Sequence, residues 1–210
     1  MSETVVWPSL KRDLVAILRG VKPDEVEAIV GALIEEEFEA IEVPLNSPEP
    51  FRSIEIIAKA FGGDALIGAG TVISPEHCAD VADAGGRLMV SPNVDPSVIA
   101  MAKSRGMVTL PGVFTPTEAM LALRSGAAAL KFFPAGALGA SGISAIKAIL
   151  PKDAVVGAVG GVSETSFADF AKIGVRTFGL GSSLYKPGDT ANAVRAKAKA
   201  AVEAYDRVFG

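Results

Sequence analysis

Two charged side chains sit where the sequence otherwise builds core. Lys131 lies in "ALKFFPAG" (129–136) among Leu130, Phe132, Phe133 and Pro134, and Glu42 lies in "AIEVPLN", which starts at Ala40. Burial disfavours a charged lysine, lowers its pKa and brings the neutral amine within reach near pH 7. A neutral amine attacks ketones and forms Schiff bases. A buried carboxylate can shuttle protons. Each has a plainer reading: Lys131 snorkels or joins a structural ion pair, and Glu42 bridges to Lys131 or Arg19. Arg19, in "AILRG", carries the planar fork that grips a carboxylate, or else partners Glu42. Thr71, in "IGAGTV", offers a hydroxyl donor, although threonine is also a good strand former.

Anion chemistry is written in two glycine-bearing stretches, "AVGGV" (158–162) and "GLGSSLY" (179–185). Gly160, Gly161, Gly181 and Ser182 would let backbone N–H groups approach a phosphate, with a short helix from near Ser182 aiming its dipole at it. The alternative is that the glycines serve tight turns only. Metal chemistry is disfavoured. The single histidine, His77, adjoins the single cysteine, Cys78, in "SPEHCAD". Neighbours on a helix do not face one ion, and further ligands are missing, so no metal site and no cofactor is expected.

The elements that must position these groups follow one repeating pattern. Short apolar runs begin at Leu14, Ala40, Leu66, Arg87, Met107, Ala129, Ala154 and Thr177, each followed by a Gly- or Pro-bearing loop and an amphipathic stretch. That spacing is the length of a strand–loop–helix unit. "SPEPFRSIEIIAKAF", "SPEHCADVADAG", "DPSVIAMAKSRG" and "TPTEAMLALRSG" each open on Ser, Asp or Thr followed by Pro, an N-cap and first-turn signature. Gly85, Gly106 and Gly126 stand where helices end, and Pro23 opens another helix. Eight strands alternating with helices predict a single (β/α)₈ TIM barrel over residues 1–210, with an N-terminal helix anchored by Trp7 across its floor. A doubly wound open sheet is the runner-up, but Gly68 and Gly70 lack the third glycine of the dinucleotide fingerprint.

In such barrels ligands bind at the C-terminal ends of the strands. Those ends carry Arg19, Glu42, Asn46, Thr71, Pro92, Asn93, Lys131 and the glycines already named. Alternation puts Lys131 and Phe133 on one face of their strand and Leu130 and Phe132 on the other. If the latter pair meets the helices, Lys131 looks into the barrel.

Composition bounds the partners. A net charge of −4 over 210 residues, with no basic run, argues against nucleic acid. Apolar runs are interrupted too often to cross a bilayer, and neither the start of the chain nor its one cysteine suggests an exported protein, so a cytoplasmic location is expected.

"AILRG", "EVPLNSP", "IGAGTV", "SPN", "ALKFFPA", "AVGGV" and "GLGSSLY", in this order from about Leu14 to Tyr185, together resemble the 2-keto-3-deoxy-6-phosphogluconate / 2-keto-4-hydroxyglutarate aldolase family. The resemblance implies a metal-free class I aldolase, a homotrimer of barrels. It makes Lys131 the Schiff-base lysine and Glu42 the proton shuttle. Arg19 and Thr71 become contacts to the pyruvyl carboxylate, Pro92 a wall of that pocket, and Gly160, Gly161, Gly181 and Ser182 the phosphate site. "EVPLNSP" and "AVGGV" are similar to the galactonate branch, in which 2-dehydro-3-deoxy-6-phosphogalactonate is cleaved to pyruvate and D-glyceraldehyde 3-phosphate during galactonate catabolism. The gluconate branch tends to carry threonine in place of Val159, which makes Val159 the expected specificity position. The alternative within the family is a 2-dehydro-3-deoxy-6-phosphogluconate / 4-hydroxy-2-oxoglutarate aldolase, and two remoter readings share the barrel and phosphate loops: a phosphosugar isomerase or epimerase, and a non-catalytic sugar-phosphate binder.

Overall fold

A computed structural model describes residues 5–210. Its strands are β1 (Leu14–Ile17), β2 (Ala40–Pro44), β3 (Leu66–Gly70), β4 (Leu88–Val90), β5 (Val108–Leu110), β6 (Gly112–Val113), β7 (Leu130–Phe132), β8 (Val156–Val159) and β9 (Thr177–Leu180). Between and after them run α1 (Val26–Glu35), α2 (Pro50–Phe61), α3 (Pro75–Asp83), α4 (Pro96–Ser104), α5 (Pro116–Arg124), α6 (Ala135–Lys147), α7 (Phe167–Ala171) and α8 (Ala191–Phe209). All strand pairs are parallel, in the order β5-β4-β3-β2-β1-β9-β8-β7-β6.

The nine segments make the eight staves of a TIM barrel, because β5 and β6 are halves of one stave broken at Pro111. Proline has no N–H to give a ladder. The ring closes across this stave: β4 pairs with β5, while the N–H groups of Ala129 and Lys131 donate to the carbonyls of Thr109 and Pro111.

Alternation sorts each stave into an outer and an inner face. Leu14, Ala16 and Leu18, Ile41 and Val43, and Leu130 and Phe132 face outward into the layer shared with the helices. Val15, Ala40, Leu88, Val90, Val108, Leu110 and Ala129 form a separate inner cluster, with Trp7 and Leu10 packed against it. Above this plug of apolar side chains the inner positions turn polar or become glycine. The plug makes the lower barrel solid and leaves only its upper end for chemistry.

The helix signals read from the sequence hold at three helices and shift at two. Ser74, Asp95 and Thr115 cap α3, α4 and α5, each accepting from the first-turn backbone, and Thr115 with Glu118 completes a capping box. Gly85, Gly106 and Gly126 close those helices at positive φ. Pro23 does not open α1, which starts at Val26 after a turn. Ser47 does not cap α2, which starts at Pro50; its hydroxyl accepts instead from the Gly20 N–H.

The expected N-terminal helix is absent among the described residues. Residues 5–13 contain no helical segment, in keeping with β-branched Val5 and Val6 and with Pro8 so close behind. Residues 1–4 lie outside the described residues. Trp7 still meets the floor of the barrel, its Nε1–H donating to Asp13 at 2.9 Å.

Candidate active site

A cleft of about 340 Å³ opens at the C-terminal ends of the staves, and every residue given a chemical role from the sequence lines it. Arg19 comes from the end of β1, Glu42 from β2, Thr71 and Pro92 from the ends of β3 and β4, and Lys131 from β7. Val159, Gly160 and Gly161 follow from β8, and Gly181 and Ser182 from β9. Asn46 and Asn93, also at stave ends, are not among the lining residues. His77 is exposed on α3, and among the described residues no three His, Cys, Asp or Glu side chains gather to hold a metal.

Lys131 is 6% exposed, and its ammonium lies 4.8 Å from the centre of the Phe133 ring. Burial pushes its pKa down; the negative charge of Glu42 opposes this and the positive charge of Arg19 adds to it. Glu42 is 2% exposed, and its Oε2 has no hydrogen-bond partner among the described residues. Burial pushes this carboxyl up, against the pull of Lys131, Arg19 and the Gly70 N–H. The two groups thus favour each other's charged form while the apolar wall favours both neutral ones. An amine and a carboxyl so balanced can exchange protons near neutral pH, which neither does in water.

The inner face of β3 makes room for the Glu42 carboxyl. Gly70 faces Glu42, and a Cβ there would overlap both carboxylate oxygens. Gly179 lies against Val159 and Ile17, where a Cβ would come within 2.7 Å of Val159 Cγ2. Sequence reading assigned neither glycine a role. The signal was present as the i, i+2 spacing of Gly68 and Gly70, which sends both to the same face of a strand.

Thr71 has φ +59°, a left-handed backbone rare for a β-branched residue. Such a conformation costs about 1–3 kcal/mol and persists only when its surroundings impose it. It turns the chain sharply at the rim of the cleft.

Gly160 and Gly161 have φ +86° and +75°. Two successive positive values are readily accessible only to glycine, and they fold the loop against the start of α6, where the Gly136 N–H donates to the Gly160 carbonyl at 2.8 Å. Facing them, residues 181–185 form a single turn, with the Leu184 and Tyr185 N–H groups donating to the Gly181 carbonyl. The expected helix from Ser182 is no longer than this turn, because Pro187 and Gly188 follow at once. Tyr185, also missed from sequence, lines the cleft and ties the turn to the start of α1 by donating its hydroxyl to Glu25 at 3.0 Å.

The family model described as KDPG and KHG aldolase matches residues 9–201. A protein of Rhizobium meliloti (strain 1021) named "Probable 2-dehydro-3-deoxy-6-phosphogalactonate aldolase" is 62% identical over 208 residues, 99% of this chain and 98% of its own. The Escherichia coli (strain K12) 2-dehydro-3-deoxy-6-phosphogalactonate aldolase is 48% identical over 195 residues, 93% of this chain and 95% of its own. A solved structure described as native KDPGal superposes with a TM-score of 0.94 at 46% identity, covering 97% of this chain and 98% of that one. This chain belongs to the KDPG and KHG aldolase family.

Proposed function

We propose that this chain, working as one catalytic domain, is a class I aldolase that cleaves 2-dehydro-3-deoxy-6-phosphogalactonate to pyruvate and D-glyceraldehyde 3-phosphate. The observation that carries the reading is the Lys131 amine, buried in the cleft and coupled electrostatically to the buried carboxyl of Glu42, whose Oε2 has no hydrogen-bond partner among the described residues. The names of the relatives above support the same substrate.

In this reading the Lys131 amine adds to the C2 ketone, and loss of water leaves a protonated imine. Glu42 takes the proton of the C4 hydroxyl as the C3–C4 bond breaks. The bonding electrons flow into the imine and leave an enamine, and the aldehyde departs. The Glu42 carboxyl returns its proton to C3, and water releases pyruvate and restores the amine. Arg19 and Thr71 hold the carboxylate beside Pro92. Gly160, Gly161, Gly181 and Ser182 hold the phosphate, so the reacting bond is fixed from both ends.

Val159 lines the cleft with no hydrogen-bonding group. A threonine there would add one donor, worth about 0.5–1.5 kcal/mol to whichever C4 epimer presents its hydroxyl to it. Pyruvate release coupled to lactate dehydrogenase tests both statements. The chain cleaves the galactonate epimer with the higher kcat/KM, and Val159→Thr moves the ratio toward the gluconate epimer. No pyruvate from either epimer would refute the activity, and an unmoved ratio would refute the role of Val159.

The family resemblance supports a homotrimer, and the exposed apolar side chains Ile73 and Phe114, in the loops after β3 and β6, suit a contact between copies. A solution mass of one chain would contradict it. A phosphorylated substrate, and no helix long and apolar enough to cross a membrane among the described residues, suit a cytoplasmic enzyme; recovery in a membrane fraction would contradict that.

A further inference from the structure

The loop after β2 grips the loop after β1 by side chain and by backbone. Arg19 Nη1 donates to Asn46 Oδ1 at 2.5 Å, and the next N–H along the chain, that of Gly20, donates to Ser47 Oγ at 2.9 Å. Ser47 is buried, and its own N–H donates to the Pro44 carbonyl at 2.9 Å. The two acceptors are therefore fixed to the end of the strand that carries Glu42. Arg19 lines the cleft and is exposed, and Asn46, bonded to it from outside the lining, is exposed as well.

The chemistry of the acceptor matters. A guanidinium has donors only, so the carboxamide turns its oxygen to Arg19. A neutral oxygen orients the fork without neutralising it. A carboxylate at this position would form an ion pair with Arg19 and compete with any carboxylate arriving in the cleft. Arg19 makes no ion pair among the described residues, and its side-chain hydrogen bond goes to the neutral Asn46 oxygen. Its charge is held in place and left available.

We propose that Asn46 is a positioning residue that aims Arg19 at the substrate carboxylate while leaving its charge uncommitted, with Ser47 fixing the backbone beneath. This rests on the reading of Arg19 given above. It makes position 46 a determinant of affinity for 2-oxo acids, acting through Arg19 and touching no reacting atom.

The test is borohydride inactivation of the full chain at graded pyruvate, which gives a half-saturating concentration and a maximal rate separately. Asn46→Asp keeps an acceptor of the same size. It raises half-saturating pyruvate about fivefold, as an exposed ion pair would, with the maximal rate within about twofold. Asn46→Ala, which frees the fork but adds no charge, raises it less. In an Arg19→Met background Asn46→Asp changes nothing further. Thermal melting of each chain checks that the fold is intact, as expected for an exposed loop residue. Unchanged half-saturation in Asn46→Asp overturns the proposal, as does an Asp effect no larger than that of Ala or one that persists without Arg19. A wild-type chain that pyruvate fails to sensitise to borohydride overturns the imine reading along with it, so the two failures are told apart by the wild-type arm alone.

Discussion

At the scale of single residues, the site centres on two groups, Lys131 and Glu42, held off their ordinary pKa values by burial. Lys131 is pushed down by burial, held back by Glu42 and pushed further by Arg19. The sign of each influence predicts the pH profile of imine formation, whose rising limb follows loss of the lysine proton. Glu42→Gln removes a charge that favours the ammonium, so the limb moves to lower pH. Arg19→Met removes one that disfavours it, so the limb moves to higher pH. Both limbs lie below the ordinary lysine value of about 10.4. Rates of pyruvate-dependent borohydride inactivation between pH 6 and 10 measure this, and a shift of both variants in one direction would contradict it. Lys131 and Glu42 were legible in the sequence because a charge inside an apolar strand is conspicuous. The left-handed backbone of Thr71 was not, since nothing in "IGAGTV" distinguishes a strained threonine from an ordinary strand residue.

At the scale of elements, alternation and capping carried most of the information. Leu130 and Phe132 meet the helical layer, and Lys131 turns inward as the two-residue period requires. The Ser-Pro, Asp-Pro and Thr-Pro starts of α3, α4 and α5 were readable because each cap satisfies its own first turn. Ser47 misled for a physical reason: its hydroxyl serves the neighbouring loop, a tertiary bond that local signals cannot announce. The inward glycine of β3 gives the sharpest prediction at this scale. Gly70→Ala places a methyl group where the Glu42 carboxylate lies and displaces it. Turnover falls by about a hundredfold or more, the loss expected for a misplaced proton shuttle, while Lys131 can still be trapped with pyruvate. Full turnover in Gly70→Ala would show that the carboxylate has room the structure does not give it.

At the scale of the whole molecule, the barrel was legible from the repeat of apolar run, loop and amphipathic stretch, which leaves few arrangements that cover both faces of a parallel sheet. Its closure was less so: Pro111 splits the fifth stave, and only the bonds from Ala129 and Lys131 show the halves acting as one. The N-terminal segment was misread because an aromatic anchor says that a chain is held without saying in what conformation. What the closed ring achieves is convergence. Residues far apart in the chain, Arg19 and Glu42 on one side and Lys131 and Gly160 on the other, reach one cleft because their staves end at the same rim. The barrel floor below them is filled, so the amine has no route to solvent except through that cleft.

The central claim is that this amine forms the covalent bond to substrate. Reduction of the chain with borohydride in the presence of pyruvate, followed by peptide mass mapping, tests it most directly. One reduced pyruvyl adduct per chain is expected, carried on Lys131 and lost in Lys131→Met. An adduct on another lysine, or catalytic turnover with Lys131 unmodified under trapping conditions, would contradict it.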